Sequence, residues 1–159
     1  MRKKDIPLKK KLGLLLSATA ITLGLAACST NDNTQEVKNE VGKTVETADL
    51  DIQVESVKSG YAESGDKNKQ MLIVDMNIKN ISKEESGAGA ADFEVKADNG
   101  KSYDVYGLEE KNFGTAIKPG KTIEGKGYYE IPADAKTVTF YYEPAGKKQA
   151  QWELKVPEK

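Results

Sequence analysis

From residue 45 onward the apolar side chains recur at every second position, and no other feature constrains the fold as tightly. Leu50, Ile52 and Val54 alternate with Asp51, Gln53 and Glu55, and Leu72, Val74, Met76 and Ile78 with Ile73, Asp75, Asn77 and Lys79. The same rhythm runs through Phe93, Val95 and Ala97, through Val138, Phe140 and Tyr142, and through Trp152, Leu154 and Val156. A period of two puts alternate side chains on opposite faces of a strand, one buried and one wet. No stretch carries a convincing helical period. About 115 residues of this kind are a normal size for one domain.

Turn chemistry agrees. Asp98-Asn99-Gly100-Lys101 lies between two alternating runs, and Asn-Gly supplies the positive φ of a tight hairpin. Lys118-Pro119-Gly120-Lys121 has proline and glycine where a type II turn needs them, and Ile131-Pro132-Ala133-Asp134 ends a strand. Short strands with frequent turns predict an antiparallel β-sandwich. Residues 59–69 and 107–118 read as longer loops, the second pinned to the core by Leu108 and Phe113. Ser86-Gly87-Ala88-Gly89 reads as a mobile turn.

The amino-terminal segment has another character. Six of the first eleven residues are basic and one, Asp5, is acidic; residues 12–27 carry no charge. A basic stretch, a short apolar run and small residues before a cut make an export signal, and this run falls short of the ~20 apolar residues of a membrane span. It closes on Leu25-Ala26-Ala27-Cys28, which holds the chain's single cysteine. A solitary thiol in an exported protein has no disulfide partner, which a lipid on Cys28 explains. The tetrapeptide resembles the lipobox of bacterial lipoproteins, a resemblance that implies a diacylglyceryl group on the Cys28 sulfur and cleavage before it. Two acyl chains hold without help from protein charge, since each buried methylene contributes about 0.8 kcal/mol.

The organisation expected is therefore a signal peptide at 1–27, a lipidated cysteine and flexible tether at 28–44, and a folded domain at 45–159. The tether is polar, with Val37 and Val41 its only sizeable apolar side chains, and as a coil would span about 20–25 Å. Removing residues 1–27 takes six of the 24 basic residues and one of the 25 acidic ones, leaving 18 against 24, a net charge of −6. Such a balance gives no reason to expect nucleic acid or anionic lipid as a partner of the domain.

Four segments together resemble a known family: Val74-Asp75-Met76-Asn77-Ile78-Lys79-Asn80-Ile81-Ser82, then Phe93 with Asp98-Asn99-Gly100-Lys101-Ser102-Tyr103, then Ile117-Lys118-Pro119-Gly120-Lys121, and Tyr129-Glu130-Ile131-Pro132. Their order is similar to the telokin-like, immunoglobulin-like domain of unknown function in extracellular lipoproteins of Gram-positive bacteria. The resemblance implies an all-β, immunoglobulin-like (telokin-like) antiparallel β-sandwich and a location on the extracellular face of the cell membrane. It carries fold motifs and no catalytic residue.

Chemistry is narrowed by the absence of histidine. Ser-His-Asp and Cys-His machinery cannot be built, nor can a histidine-bearing zinc or copper site. No phosphate loop or dinucleotide fingerprint is present. The remaining catalytic option is a carboxylate pair, for which Glu84-Glu85 and Glu109-Glu110 are the adjacent acids; solvated loop charge explains both. Asp98, Asn99 and Asp104 lack the alternating spacing of a calcium loop, and a hairpin turn accounts for them. No catalytic residue, metal ligand or cofactor is expected.

Tyrosines give the one positive sign of a binding face. Trp152, Phe93, Phe140, Tyr129 and Tyr142 have the parity of the core, while Tyr128 and Tyr141 have the opposite parity. Outward tyrosines can anchor a protein or stack on a sugar; ordinary cross-strand packing is the plainer alternative. The expectation is a non-catalytic binding module for a surface protein or a cell-wall polymer, held at the membrane through Cys28. An accessory subunit of an envelope complex and a carboxylate-based hydrolase are the other readings.

Overall fold

A computed structural model describes residues 38–107 and 112–159. The expected signal peptide, Cys28, Leu108 and the pair Glu109-Glu110 lie outside the described residues.

Ten strands form among them: β1 (Thr44–Glu46), β2 (Leu50–Tyr61), β3 (Lys69–Asn80), β4 (Ser86–Gly89), β5 (Phe93–Ala97), β6 (Ser102–Tyr103), β7 (Gly114–Ile117), β8 (Thr122–Pro132), β9 (Thr137–Tyr142) and β10 (Ala150–Lys155). Two 3-10 turns, Ala90–Asp92 and Pro144–Gly146, interrupt them. One sheet has the order β1-β2-β3-β8 and the other β10-β9-β5-β6, with these strands paired antiparallel; β4 and β7 form a separate two-stranded antiparallel ribbon. The protein is an all-β antiparallel sandwich, as the alternation predicts.

The buried faces are the apolar parities. Leu50, Ile52, Val54, Leu72, Val74, Met76 and Ile78 come from one sheet, and Val95, Val138, Phe140, Trp152 and Leu154 from the other. Phe140 sits at the centre of an aromatic cluster, stacked on Phe93 at 5.0 Å and meeting Tyr129 edge-on at 5.5 Å, with Trp152 at 6.1 Å. Full burial of one such ring contributes about 1.5–3 kcal/mol. Their polar ends are satisfied: Trp152 Nε1 donates to Lys43 O (2.9 Å) and the Tyr129 hydroxyl to Ala90 O (3.2 Å). Burial pushes the Tyr129 phenol well above the usual tyrosine range.

Both expected turns form. Gly100 has φ 79° between β5 and β6, and Gly120 has φ 69° with Lys121 N donating to Lys118 O at 3.0 Å. Asn80, fully buried at the end of β3, donates to Glu84 O and Ile117 O and accepts from Ser82, so it ties that strand to the following turn and to β7.

Three boundaries differ from the sequence reading. Ser86-Gly87-Ala88-Gly89 is β4, a strand paired with β7, and no mobile turn. The loop expected at 59–69 shrinks to 62–68 because β2 continues to Tyr61. The fold also starts before residue 45: Glu40 N donates to Glu153 O (2.8 Å), Gly42 N to Val54 O (2.8 Å), and Thr44 opens β1. The tether therefore does not extend to 44. Residues 38–43 lack apolar pattern because hydrogen bonds, among them those of the buried Glu40 carboxylate, hold them in place of apolar burial.

Candidate functional site

The outer face of the β1-β2-β3-β8 sheet carries the best-developed polar cluster. A bulge between Val54 and Ser56 shifts β2 by one residue, which leaves Glu55 out of step and brings Ser56 opposite Asp75. Asp75 is central on β3, with Lys126 of β8 on its other side. Ser56 Oγ donates to Asp75 Oδ2 at 2.6 Å and Lys58 Nζ at 2.9 Å, while Lys126 Nζ lies 3.3 Å from Oδ1. Burial alone would raise the Asp75 pKa; the hydrogen bonds from Ser56, Lys58 and Lys126 outweigh it and hold the carboxyl below the usual range. Asn77 Nδ2 donates to Glu55 Oε1 at 3.2 Å. Glu55, Ser56, Lys58, Asp75 and Lys126, with Glu124 and Gly125, line an open cleft of about 430 Å³.

Tyr128 stands one row further along this face, opposite Ile73 in the register. Its backbone N–H donates to Asn112 Oδ1 at 3.1 Å. Tyr141 does not share that face. It lies on β9 between Gln151 and Glu94, in the other sheet, with the Lys148 ammonium 3.6 Å from its ring centroid. Parity identifies both tyrosines as outward, but outward from opposite layers, so they form no common surface.

The second feature is an apolar pocket of about 320 Å³ on the β8 flank, lined by Gly89, Ala90, Val105, Gly107, Asn112 and Phe113 among others. Phe113 is seated as the sequence predicts, but its seat is bare backbone. A Cβ on Gly125 would stand 2.6 Å from the Phe113 ring, and one on Gly127 2.6 Å from the Tyr129 hydroxyl. The Gly125-Lys126-Gly127 run of β8 thus leaves a trough that two aromatic rings fill. Spacing of two between those glycines was the available signal.

Those carboxylate candidates that fall among the described residues are not gathered into a site. Glu84 and Glu85 are exposed on the turn after β3. Asp98 and Asn99 serve the hairpin, Asp98 Oδ2 accepting from Lys136 N (2.8 Å) and Asn99 Oδ1 from Lys101 N (2.9 Å). Among the described residues no group of three or more acids or cysteines is placed to hold a metal ion.

One buried carboxylate escaped the sequence reading. Glu40 accepts from Lys43 Nζ (2.7 Å) and Glu153 N (3.0 Å) and pairs with Lys38 Nζ. Hydrogen bonds from Lys38, Lys43 and Glu153 lower its pKa to about 2.

Residues 39–151 match the family described as a domain of unknown function, DUF4352. The chain belongs to that family. No protein of curated function matches it. Among solved structures it is similar in fold to a candidate lipoprotein, YcdA, of Bacillus subtilis, with TM-score 0.61 and 17% identity over 74% of this chain and 39% of that one. The chain thus spans well under half of that protein. It is also similar to MPT63, a secreted protein of Mycobacterium tuberculosis, with TM-score 0.58 and 17% identity over 72% of this chain and 95% of that one. The YjhA protein of Bacillus subtilis gives TM-score 0.54 and 19% identity over 76% of this chain and all of the other. At these identities the likeness concerns the fold.

Proposed function

We propose that this chain is a lipid-anchored, non-catalytic binding module on the extracellular face of the cell membrane, of the telokin-like, immunoglobulin-like kind expected in Gram-positive envelope lipoproteins. The observation that carries the reading is Leu25-Ala26-Ala27-Cys28 at the end of an export signal, followed within about ten residues by a β-sandwich. The fold neighbours described as a lipoprotein candidate and a secreted protein support that location.

The partner is a surface protein or an envelope polymer, bound on the outer face of β2, β3 and β8. There Tyr128 and Ile73 adjoin a cleft whose charged groups already hold one another in place, so little ordering is needed on binding. An aromatic side chain beside fixed polar groups suits both a protein hot spot and a sugar ring. Because Tyr128 and Tyr141 lie on different sheets, single substitutions separate the two faces.

The test is cross-linking on intact cells with the tagged, full-length chain, followed by mass spectrometry of what co-purifies. Tyr128→Ala is expected to lower recovery of the dominant partner or wall fragment by about tenfold or more, and Tyr141→Ala to leave it unchanged. Loss with Tyr141→Ala alone would move the site to the β9 face. Full recovery in both variants would remove the sheet-face proposal.

A further inference from the structure

Lys38 marks the end of the sandwich from which the chain leads back towards Cys28. Residues 38–43 run antiparallel to β10: Glu40 N donates to Glu153 O (2.8 Å), and one step back Asn39 Oδ1 accepts from Lys155 N (3.4 Å). Following the chain towards its start therefore leads to the Lys155 end of that strand. Lys155 pairs with Thr137 at the start of β9, and Val156 N donates to Lys136 O (2.9 Å). Four residues before Lys136, Pro132 ends β8 opposite Lys69, and Tyr61 pairs with Gln70. Tyr61, the 62–68 loop, the 133–136 connection and residues 156–159 accordingly share one end with Lys38.

We propose that this end faces the bilayer and rests on phospholipid headgroups, so that the opposite end, with the turn at Lys118 to Lys121, is presented outward. The inference rests on the lipid-anchored reading above. Ten residue steps separate Cys28 from Lys38, at most about 33–36 Å however the chain is arranged. The 12 residues of β3 span about 40 Å from one end to the other. The near end can thus touch the surface on that leash, while the far end stands well clear of it.

Tyr61 supplies the second, independent observation. It is 85% exposed, against 36% and 38% for Val41 and Ile81, the other exposed large hydrophobic residues among those described. The Lys159 ammonium lies 5.6 Å from its ring centroid. An exposed tyrosine beside a lysine is the chemistry found at headgroup level, where the ring enters the interface and the cation meets phosphate. The chain's overall acidity does not oppose this contact. At this end the acids Glu63, Asp66, Asp98, Asp134 and Glu158 are set against the lysines Lys67, Lys101, Lys136, Lys155 and Lys159, so anionic headgroups meet side chains of balanced charge.

The test uses full-length, lipidated protein in vesicles of phosphatidylcholine and phosphatidylglycerol containing headgroup-nitroxide lipid. A lipid on Cys28 leaves an introduced cysteine as the one free thiol to label. Fluorescence from Lys67→Cys is expected to be quenched roughly twofold or more above that from Lys121→Cys, and Tyr61→Ser to narrow the contrast. Equal or reversed quenching, with the Cys28 lipid verified by intact mass, overturns the orientation and leaves the anchor standing. A chain without that lipid and with neither label quenched overturns both.

Discussion

Along its β10 flank the sandwich is closed by polar groups, and along its β8 flank by an aromatic ring laid on bare backbone. On the first, Glu40 reaches the backbone of Glu153 and two lysines, while Lys43 O receives the Trp152 indole N–H. On the second, Tyr106 N donates to Tyr128 O (2.7 Å), Phe113 N to Lys126 O (3.3 Å), and the Phe113 ring covers Gly125. Either device covers strand edges that would otherwise offer unpaired backbone groups to another chain. They differ in what can undo them: the polar closure responds to charge and pH, the apolar one to volume.

The volume-dependent flank should break first. Gly125→Val is expected to cost about 2–3 kcal/mol, because its Cβ alone would stand 2.6 Å from the Phe113 ring. Denaturant unfolding checks this, and adding Phe113→Ala should recover part of the loss. Simple additivity of the two changes would contradict the seat described.

Next in size is Glu40→Gln, expected to cost about 1–2 kcal/mol at neutral pH through weakened bonds to Glu153 N–H and the lysines. Its pH dependence has a definite sign. The folded-state pKa of Glu40 is depressed from 4.5 to about 2, so its contribution is complete above the unfolded value and disappears as pH falls through the folded one. The stability difference between wild type and Glu40→Gln should shrink between about pH 5 and pH 2. A constant difference across that window would show that the carboxylate charge is not what closes this flank. Gly125→Val, by contrast, should show no comparable trend.

Two smaller changes sharpen the contrast away from the flanks. Asp75→Asn is expected to cost only about 0.5–1 kcal/mol in thermal unfolding, since its lysine partners are largely solvated. Ala145 holds φ 51°, a left-handed conformation that favours glycine. Ala145→Gly should therefore raise stability by about 0.5 kcal/mol, with the gain in left-handed freedom partly offset by chain entropy.

What could be seen in the sequence follows the same division. Period-two alternation identified the buried parity of β2, β3, β5, β9 and β10, and Asn99-Gly100 and Pro119-Gly120 located two turns. The β4-β7 ribbon was missed because Ser86-Gly87-Ala88-Gly89 has too little apolar contrast to show a period. The part of the fold that precedes residue 45 was missed because hydrogen bonds to a strand more than a hundred residues away leave no local pattern. The Asp75 network depends on a bulge at Glu55 and on two neighbouring strands, all non-local. Tyr128 and Tyr141 make the point most sharply: alternation tells inside from outside, but strand order decides which outside.

Intact-mass and peptide analysis of the mature chain, taken from membranes of the producing cell alongside Cys28→Ser, tests the account most directly. The expected result is a chain beginning at Cys28 and carrying diacylglyceryl on its sulfur, with Cys28→Ser unlipidated and released from the membrane. A mature chain that begins elsewhere, or that keeps Cys28 as a free thiol, would contradict it.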